Sequence, residues 1–289
     1  MEYFKRTSTL FTLFTLGFLL LVLLKPGPGF SDFLLMYSAV SAVIFGIFIV
    51  FSVSNSHDRL NRVNELLKIE DANNLLLYKL SHAFGAKVQD ELRGLLDLYL
   101  MDQIDYRLED FTRSAKSFHD MYAFIISLEP QTKVHELIYE EMISILTLSS
   151  SNRIQIETIT NQKLSRFEWI SVWGLTFVVI SQMYQMSHDD VFASISLTVL
   201  ASASFLLVLV LRDLDNLKWQ KDKWTWEPLH NLFTNMELMP YYPRVIFETG
   251  EAKAPYGVKI RVADYPDLYP IMTNKTVTTV EYHDPRSPK

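Results

Sequence analysis

The sequence predicts a mainly α-helical integral membrane protein with four transmembrane helices, a long cytoplasmic helical insert between spans two and three, and a small β-rich C-terminal cytoplasmic appendix. Three observations carry that prediction. Of the 289 residues 49% are hydrophobic, an ordinary share for a globular chain, yet they are heaped into blocks without Asp, Glu, Lys or Arg at 7–24, 33–56, 169–187 and 191–211. Each block is long enough, at about 1.5 Å per residue, to cross a hydrocarbon layer about 30 Å thick. Basic residues gather at one end of every block, and beyond residue 243 short runs of β-branched and aromatic residues alternate with turn signals. The blocks exclude a small soluble enzyme.

The first hairpin, 1–55, contains spans at about 7–24 and 33–54, and the second, 169–211, contains spans at about 169–187 and 191–211. Lys5 and Arg6 precede the first span, Arg59 and Arg62 follow the second, Lys163 and Arg166 precede the third, and Arg212, Lys218, Lys221 and Lys223 follow the fourth. The positive-inside bias places both termini in the cytoplasm. Two short hairpins, 25–32 and 188–190, then face outward. A cleaved signal peptide is the rival reading of the first span, but Lys25-Pro26-Gly27-Pro28-Gly29 is a poor small-residue cleavage site. Trp169, Trp173, Trp219, Trp224 and Trp226 read as an aromatic belt at the cytoplasmic boundary.

Residues 56–168 form the cytoplasmic helical domain, with 13 basic and 18 acidic residues and one Pro. Leu60, Val63, Leu66, Leu67, Leu76, Leu77 and Leu80 recur at three- and four-residue spacing, so span two continues as an amphipathic helix until Gly85 interrupts it. A second helical region over 88–127 is expected to contain one break. Pro130 suits the first turn of the next helix, and with no Gly or Pro before Gly174, residues 131–187 are expected to form one rod that runs into span three. Ile138, Met142, Ile145, Ile156 and Ile159, with polar Ser149 and Asn152 among them, make a seam that packs either within one protomer or between protomers.

Residues 212–243 read as a Trp-rich juxtamembrane helix closed by Pro240-Tyr241-Tyr242-Pro243. Beyond it, 244–249, 258–263 and 276–282 are expected as three short strands. The loop Tyr265-Pro266-Asp267-Leu268-Tyr269-Pro270 either covers the sheet edge or binds a partner.

The chain has no Cys, a net charge of −6 and seven scattered His. Disulfides, thiolate chemistry and a nucleic-acid footprint are therefore absent from the reading, and no cofactor or metal site is expected. Walker A, GxSxG and HExxH patterns are missing, so no enzyme is expected. None of the spans holds an ionisable side chain, which weighs against a pump or an ion-coupled transporter. In span two, Ser38, Ala42 and Gly46 form a small-residue stripe that lets another helix approach. Beside it Ser41, Phe45, Phe48 and Ser52 share a face, where hydroxyls and two rings suit a dewetting neck of a pore. The alternative is that the rings face lipid or a neighbouring span. Thr9, Thr12, Thr15, Gln182, Gln185, Ser194, Thr198 and Ser202 are candidate interhelical hydrogen-bonding groups. Asp102, Asp105 and Glu109 line up on one helix face as a solvated acidic surface or a weak cation-binding face.

The exit of span two, Phe48 to Arg62 (FIVFSVSNSHDRLNR), the Leu128-Glu129-Pro130 helix start, and the approach to span three from Asn152 to Trp169 together resemble the bacterial bestrophin-like family of four-span membrane proteins. The resemblance covers about residues 30–215 and leaves the β-rich end outside it. By analogy with bestrophins proper it implies a homo-oligomer, a pentamer, that conducts anions through a pore lined by span two, with Phe45 and Phe48 at the neck. The dense acidic run of the animal calcium clasp is missing, which removes the basis for Ca²⁺ gating. The reading is thus a homo-oligomeric ion channel of the bacterial cytoplasmic membrane, its partners being lipid, inorganic ions and copies of itself, with no nucleic acid. A non-conducting scaffold that recruits a soluble partner through its cytoplasmic helices and C-terminal region is the alternative. The acidic balance of the insert favours cations in a vestibule, against the anions that the resemblance implies.

Overall fold

Between Leu24 and Ser31 the chain runs through Pro26 and Pro28, which donate no backbone hydrogen bond and so separate two long helices. The computed structural model describes residues 2–106, 114–188, 190–216, 229–244, 257–267 and 274–281. Its helices are α1 (Glu2–Leu24), α2 (Asp32–Ser81), α3 (Ala86–Asp105), α4 (Ala115–Ile126), α5 (Lys133–Asn161), α6 (Arg166–Gln185) and α7 (Val191–Asp215), followed by strands β1 (Tyr241–Pro243), β2 (Lys259–Asp264) and β3 (Thr276–Glu281). The protein is mainly α with a small three-stranded sheet. Among the described residues three helices are long and apolar enough to cross a membrane: α1 over Thr7–Leu24, α2 and its short extension over Asp32–Phe84, and α7 over Val191–Asp215. Helix α6 carries Arg166 and Glu168 at its start and Gln182 and Gln185 near its end, and these dilute it below the apolarity of the other three.

Helix ends follow capping chemistry. The Ser31 hydroxyl accepts from Leu34 N at 3.2 Å at the start of α2. At the other end α2 tightens into a 3₁₀ turn over His82–Phe84 and stops at Gly85, whose φ of 97° suits glycine. The break expected at Gly85 and the break within 88–127 are both present. Pro130, however, does not enter the first turn of α5, because Thr132 takes the N-cap and its hydroxyl accepts from His135 N at 3.2 Å. The expected rod over 131–187 is also broken. Helix α5 ends at Asn161, and Ser165 starts α6 with a capping box in which Glu168 N donates to Ser165 Oγ at 3.2 Å and Ser165 N donates to Glu168 Oε2 at 2.7 Å. Asp190 caps α7 by accepting from Phe192 N and Ala193 N.

The chain divides into two compact units. The first comprises Met1–Asn61 and Lys163–Trp219, and there α1 and α6 both pack on α7. Phe45 and Ile49 of α2 meet Val172, Val179, Val208 and Leu211, while Phe18 and Val22 of α1 meet Ala201. The second unit comprises Arg62–Gln162 and Gln220–Lys289. Its core joins Leu77, Leu92, Leu96, Leu100, Met121, Ile125, Met142 and Leu146 to Phe233, Met236, Tyr241 and Ala263. The strands therefore share a core with the helices of this unit. The seam on α5 is buried inside the chain, with Met142, Ile145, Ser149, Asn152 and Ile156 all covered.

In the sheet β1 runs parallel to β2 and β2 antiparallel to β3. The second and third expected strands are present; of the first, expected at 244–249, residues 245–249 fall outside the described residues, and a further strand, β1, lies at Tyr241–Pro243. Pro243 is tolerated there because β1 is an edge strand. The Trp-bearing part of the expected juxtamembrane helix, 217–228 with Trp219, Trp224 and Trp226, also lies outside the described residues.

Candidate functional site

Helix α2 presents two unlike faces in the first unit. The inward face carries Ser41, Phe45, Ile49, Ser52 and Ser56, all buried. Ser41 Oγ donates to Gln182 Oε1 at 2.5 Å, tying α2 to α6. The open face carries Val43, Ile44, Ile47, Val50 and Phe51, the last 73% exposed. Of the residues read as a pore-facing set, Ser41 and Phe45 are spent on packing, whereas Phe48 is half-buried. Beside Phe48 a groove of about 840 Å³ is walled by Ile44, Ile47, Phe48 and Phe51, with Ser52, Asn55, Asp58 and Glu168 along its polar stretch. The small-residue stripe is uncovered. Ser38 is half-buried, Ala42 is exposed, and a Cβ at Gly46 would meet nothing within 4 Å.

One end of this unit is closed by a buried ionic hub. Asp215 accepts from Leu164 N at 2.9 Å and Trp169 Nε1 at 3.2 Å and lies 3.3 Å from Arg59 NH1, while Arg59 NH2 donates to the Asp215 carbonyl. Thus α2, α6 and α7 converge on one carboxylate. Next to it Thr7 Oγ1 donates to Asp213 Oδ2 at 3.1 Å and accepts from Arg212 NH2 at 3.1 Å, bringing in α1. At the other end the two interhelical connections interlock: Gly29 N donates to Gln185 O at 3.1 Å and Gly27 N to Ser187 Oγ at 2.8 Å. A Cβ on Gly27 would sit 2.3 Å from the Tyr184 carbonyl, so only glycine fits. Thr7, Ser187, Asp213 and Asp215 were missed in the sequence, where Arg59 and Arg212 were read only as topology charges. The signal available was opposite charges just past apolar blocks, Arg59 after one and Asp213 and Asp215 after another.

Of the acidic residues expected on one face of α3, the structure describes Asp102, which is half-buried, and Asp105. Asp105 is 8% exposed; it accepts from Tyr241 Oη at 2.8 Å, from Tyr265 Oη, and from Lys275 Nζ at 2.6 Å. The chain itself supplies the cation. Burial pushes the Asp102 carboxyl above its usual range, with Ser117 and Lys275 opposing, and Glu109 lies outside the described residues. Among the described residues no group of three His, Asp or Glu could hold a metal ion. Asp97, two turns before Asp105, is gripped by Arg261 through two bonds of 2.6 Å.

A polar layer crosses the same unit between α2 and α5. Glu70, 1% exposed, accepts from Tyr99 Oη and from Gln103 Nε2 at 3.2 Å, and lies 3.7 Å from Arg153 NH1. Arg153 donates in turn to Tyr99 Oη and, at 3.1 Å, to Ser114 Oγ.

A family model described as bestrophin-like domain matches residues 10–216. No curated protein and no solved structure matches the chain.

Proposed function

The chain belongs to the bestrophin-like family, and from that premise we propose that it is a homo-oligomeric ion channel of a bacterial cytoplasmic membrane, with the pore lined by α2. The single observation that carries this reading is the inverted polarity of the first unit. Its helices bury Ser41, Ser52, Thr176, Gln182, Thr198 and Ser202 and expose Phe33, Phe51, Phe177 and Phe192. That distribution suits a lipid surround, where interhelical hydrogen bonds lie inside and large apolar side chains lie outside. Helix α6 is the fourth span of this reading. Its polar groups face partners, Gln182 to Ser41 and Trp169 to Asp215, which is how a span of modest apolarity is accommodated.

The open face of α2 supplies the wall. Phe48, with Ile44, Ile47 and Phe51, gives the groove an aromatic and aliphatic wall, and such a strip gates by dewetting. Phe45 and Ser41 back that wall, and the stripe Ser38, Ala42 and Gly46 is where a neighbouring copy of α2 approaches. Both termini lie in the cytoplasm in this arrangement, since the Arg59, Arg212 and Asp215 hub marks the same side as Lys5 and Arg6.

The test is ion flux through purified protein reconstituted in liposomes, with chloride and potassium as alternative permeant ions. Phe48→Ala and Phe51→Ala are expected to change the flux severalfold, and Phe45→Ala chiefly to lower thermal stability. An intact, monodisperse protein that passes neither ion overturns the channel reading in favour of a non-conducting scaffold.

A further inference from the structure

The second unit contains a carboxyl group for which the channel reading has no use. Leu66 packs on Ile156, Glu70 lies 3.7 Å from Arg153, and Asn73 Nδ2 donates to Ser149 Oγ at 3.1 Å. These pairs step along α2 in one direction and along α5 in the other, so the helices are antiparallel and Asn74 and Asn152 fall in the same layer as Glu70. Glu70, Asn74 and Asn152 are 1%, 1% and 4% exposed. Among the described residues, Glu70 Oε2, both polar atoms of Asn74 and Asn152 Nδ2 have no hydrogen-bond partner.

The two oxygens of Glu70 differ sharply. Oε1 takes the Tyr99 hydroxyl and the Gln103 amide, while Oε2 takes nothing. An ionised carboxylate would leave half its charge on a buried oxygen without a donor, whereas a neutral acid places its proton there and forgoes only one hydrogen bond. Arg153 agrees with the neutral form. Its 3.7 Å separation from Glu70 exceeds the roughly 2.7–2.9 Å of a charge-assisted bond. The guanidinium instead donates to Tyr99 and Ser114 and lies over the Tyr99 and Phe118 rings, 5.2 and 4.7 Å from their centroids.

We propose that Glu70 is a proton-binding site, held as a neutral carboxylic acid protonated on Oε2, and that release of this proton to bulk water draws Arg153 off Ser114 and onto the carboxylate. Burial pushes the Glu70 carboxyl up to about 8, with Arg153 opposing and Asp71 assisting. Among the described residues the charged and titratable groups around it are Arg153 and Glu157 on α5, Tyr99 on α3, and Asp71 on α2 itself, whose own carboxyl burial raises to about 7. Ser114 stands at the N-cap of α4 without capping it through its side chain, so its link to Arg153 is one tie between α5 and α4, beside the Tyr139 hydroxyl on the Ile126 carbonyl, and the one that deprotonation releases. The site does not depend on conduction and stands whether or not the chain is a channel.

The experiment is pH-difference infrared spectroscopy of the full chain in detergent, following the carbonyl stretch of protonated carboxylic acids. The expected result is a band that fades with a midpoint near pH 8, persists in Asp71→Asn and is absent from Glu70→Gln. Selective ¹³C-carboxyl labelling makes the same distinction in the unaltered protein, the band moving with labelled glutamate and staying put with labelled aspartate. A band that follows aspartate, one that survives in Glu70→Gln, or no band titrating above neutral pH overturns the proposal.

Discussion

Asp215 is 3% exposed and receives a backbone N–H, an indole N–H and a guanidinium from three different stretches of chain. A carboxylate so placed is unlike an exposed ion pair, because removing it takes an opposing charge from beside buried Arg59 and the acceptor from two further N–H donors. Asp215→Ala is expected to cost about 3–5 kcal/mol, read as a fall in the thermal transition in detergent. Arg59→Met combined with Asp215→Leu should recover part of that loss, and a double change that costs the sum of the single ones would show the pair to be uncoupled. Glu70 behaves in the opposite sense. Its folded carboxyl is raised from 4.5 to about 8, so the folded chain holds a proton that the unfolded chain has released. Stability from this group is therefore complete below about pH 4.5 and is lost as pH rises to about 8. Thermal melts across that window should fall for the wild type and flatten for Glu70→Gln. Equal slopes would exclude Glu70 as the source.

At the scale of elements, the decisive event is the break between α5 and α6. Ser165 and Glu168 satisfy two orphan donors at the start of α6, and Ser165→Ala should lower stability by about 1 kcal/mol without changing helix content by circular dichroism. A gain of helical signal would instead mean that the rod re-forms. Periodicity alone missed this break because 162–165 contains neither Gly nor Pro, although the Ser-x-x-Glu pattern was there to be read. Where the signal was steric it was legible: Gly85 ends α2 with a positive φ that other residues rarely adopt. The site on α2 was half legible. Spacing placed Ser41, Phe45, Phe48 and Ser52 on one side of the helix, but which of its edges faces α6 and α7 depends on partners far along the chain, such as Gln182. Asp105 was hidden for the same reason, since Tyr241, Tyr265 and Lys275 lie more than a hundred residues away.

For the molecule as a whole, two cores predict two unfolding events. The first unit holds the apolar helices around Phe45, Val172 and Val208, and the second holds Leu96, Met121 and Met142 together with the strands. Residues 244–289 belong to that second core through Ala263, and they supply Arg261 to Asp97 and Lys275 to Asp105. Deleting them strands two buried or half-buried carboxylates on α3 and removes Ala263 from the shared core, a loss that ion-pair and burial costs together make larger than any single substitution. Melting of the truncated chain is thus expected to lose or sharply lower one transition and keep the other, with Asp215→Ala giving the complementary pattern. Because the strands are structural, loss of a binding partner on truncation would not by itself identify a recruiting tail. Arg261→Gln and Lys275→Gln, which loosen the strands without deleting them, separate the two cases: if the second transition stays put in both variants, the strands are peripheral and their sharing of the helical core is not what stabilises that unit.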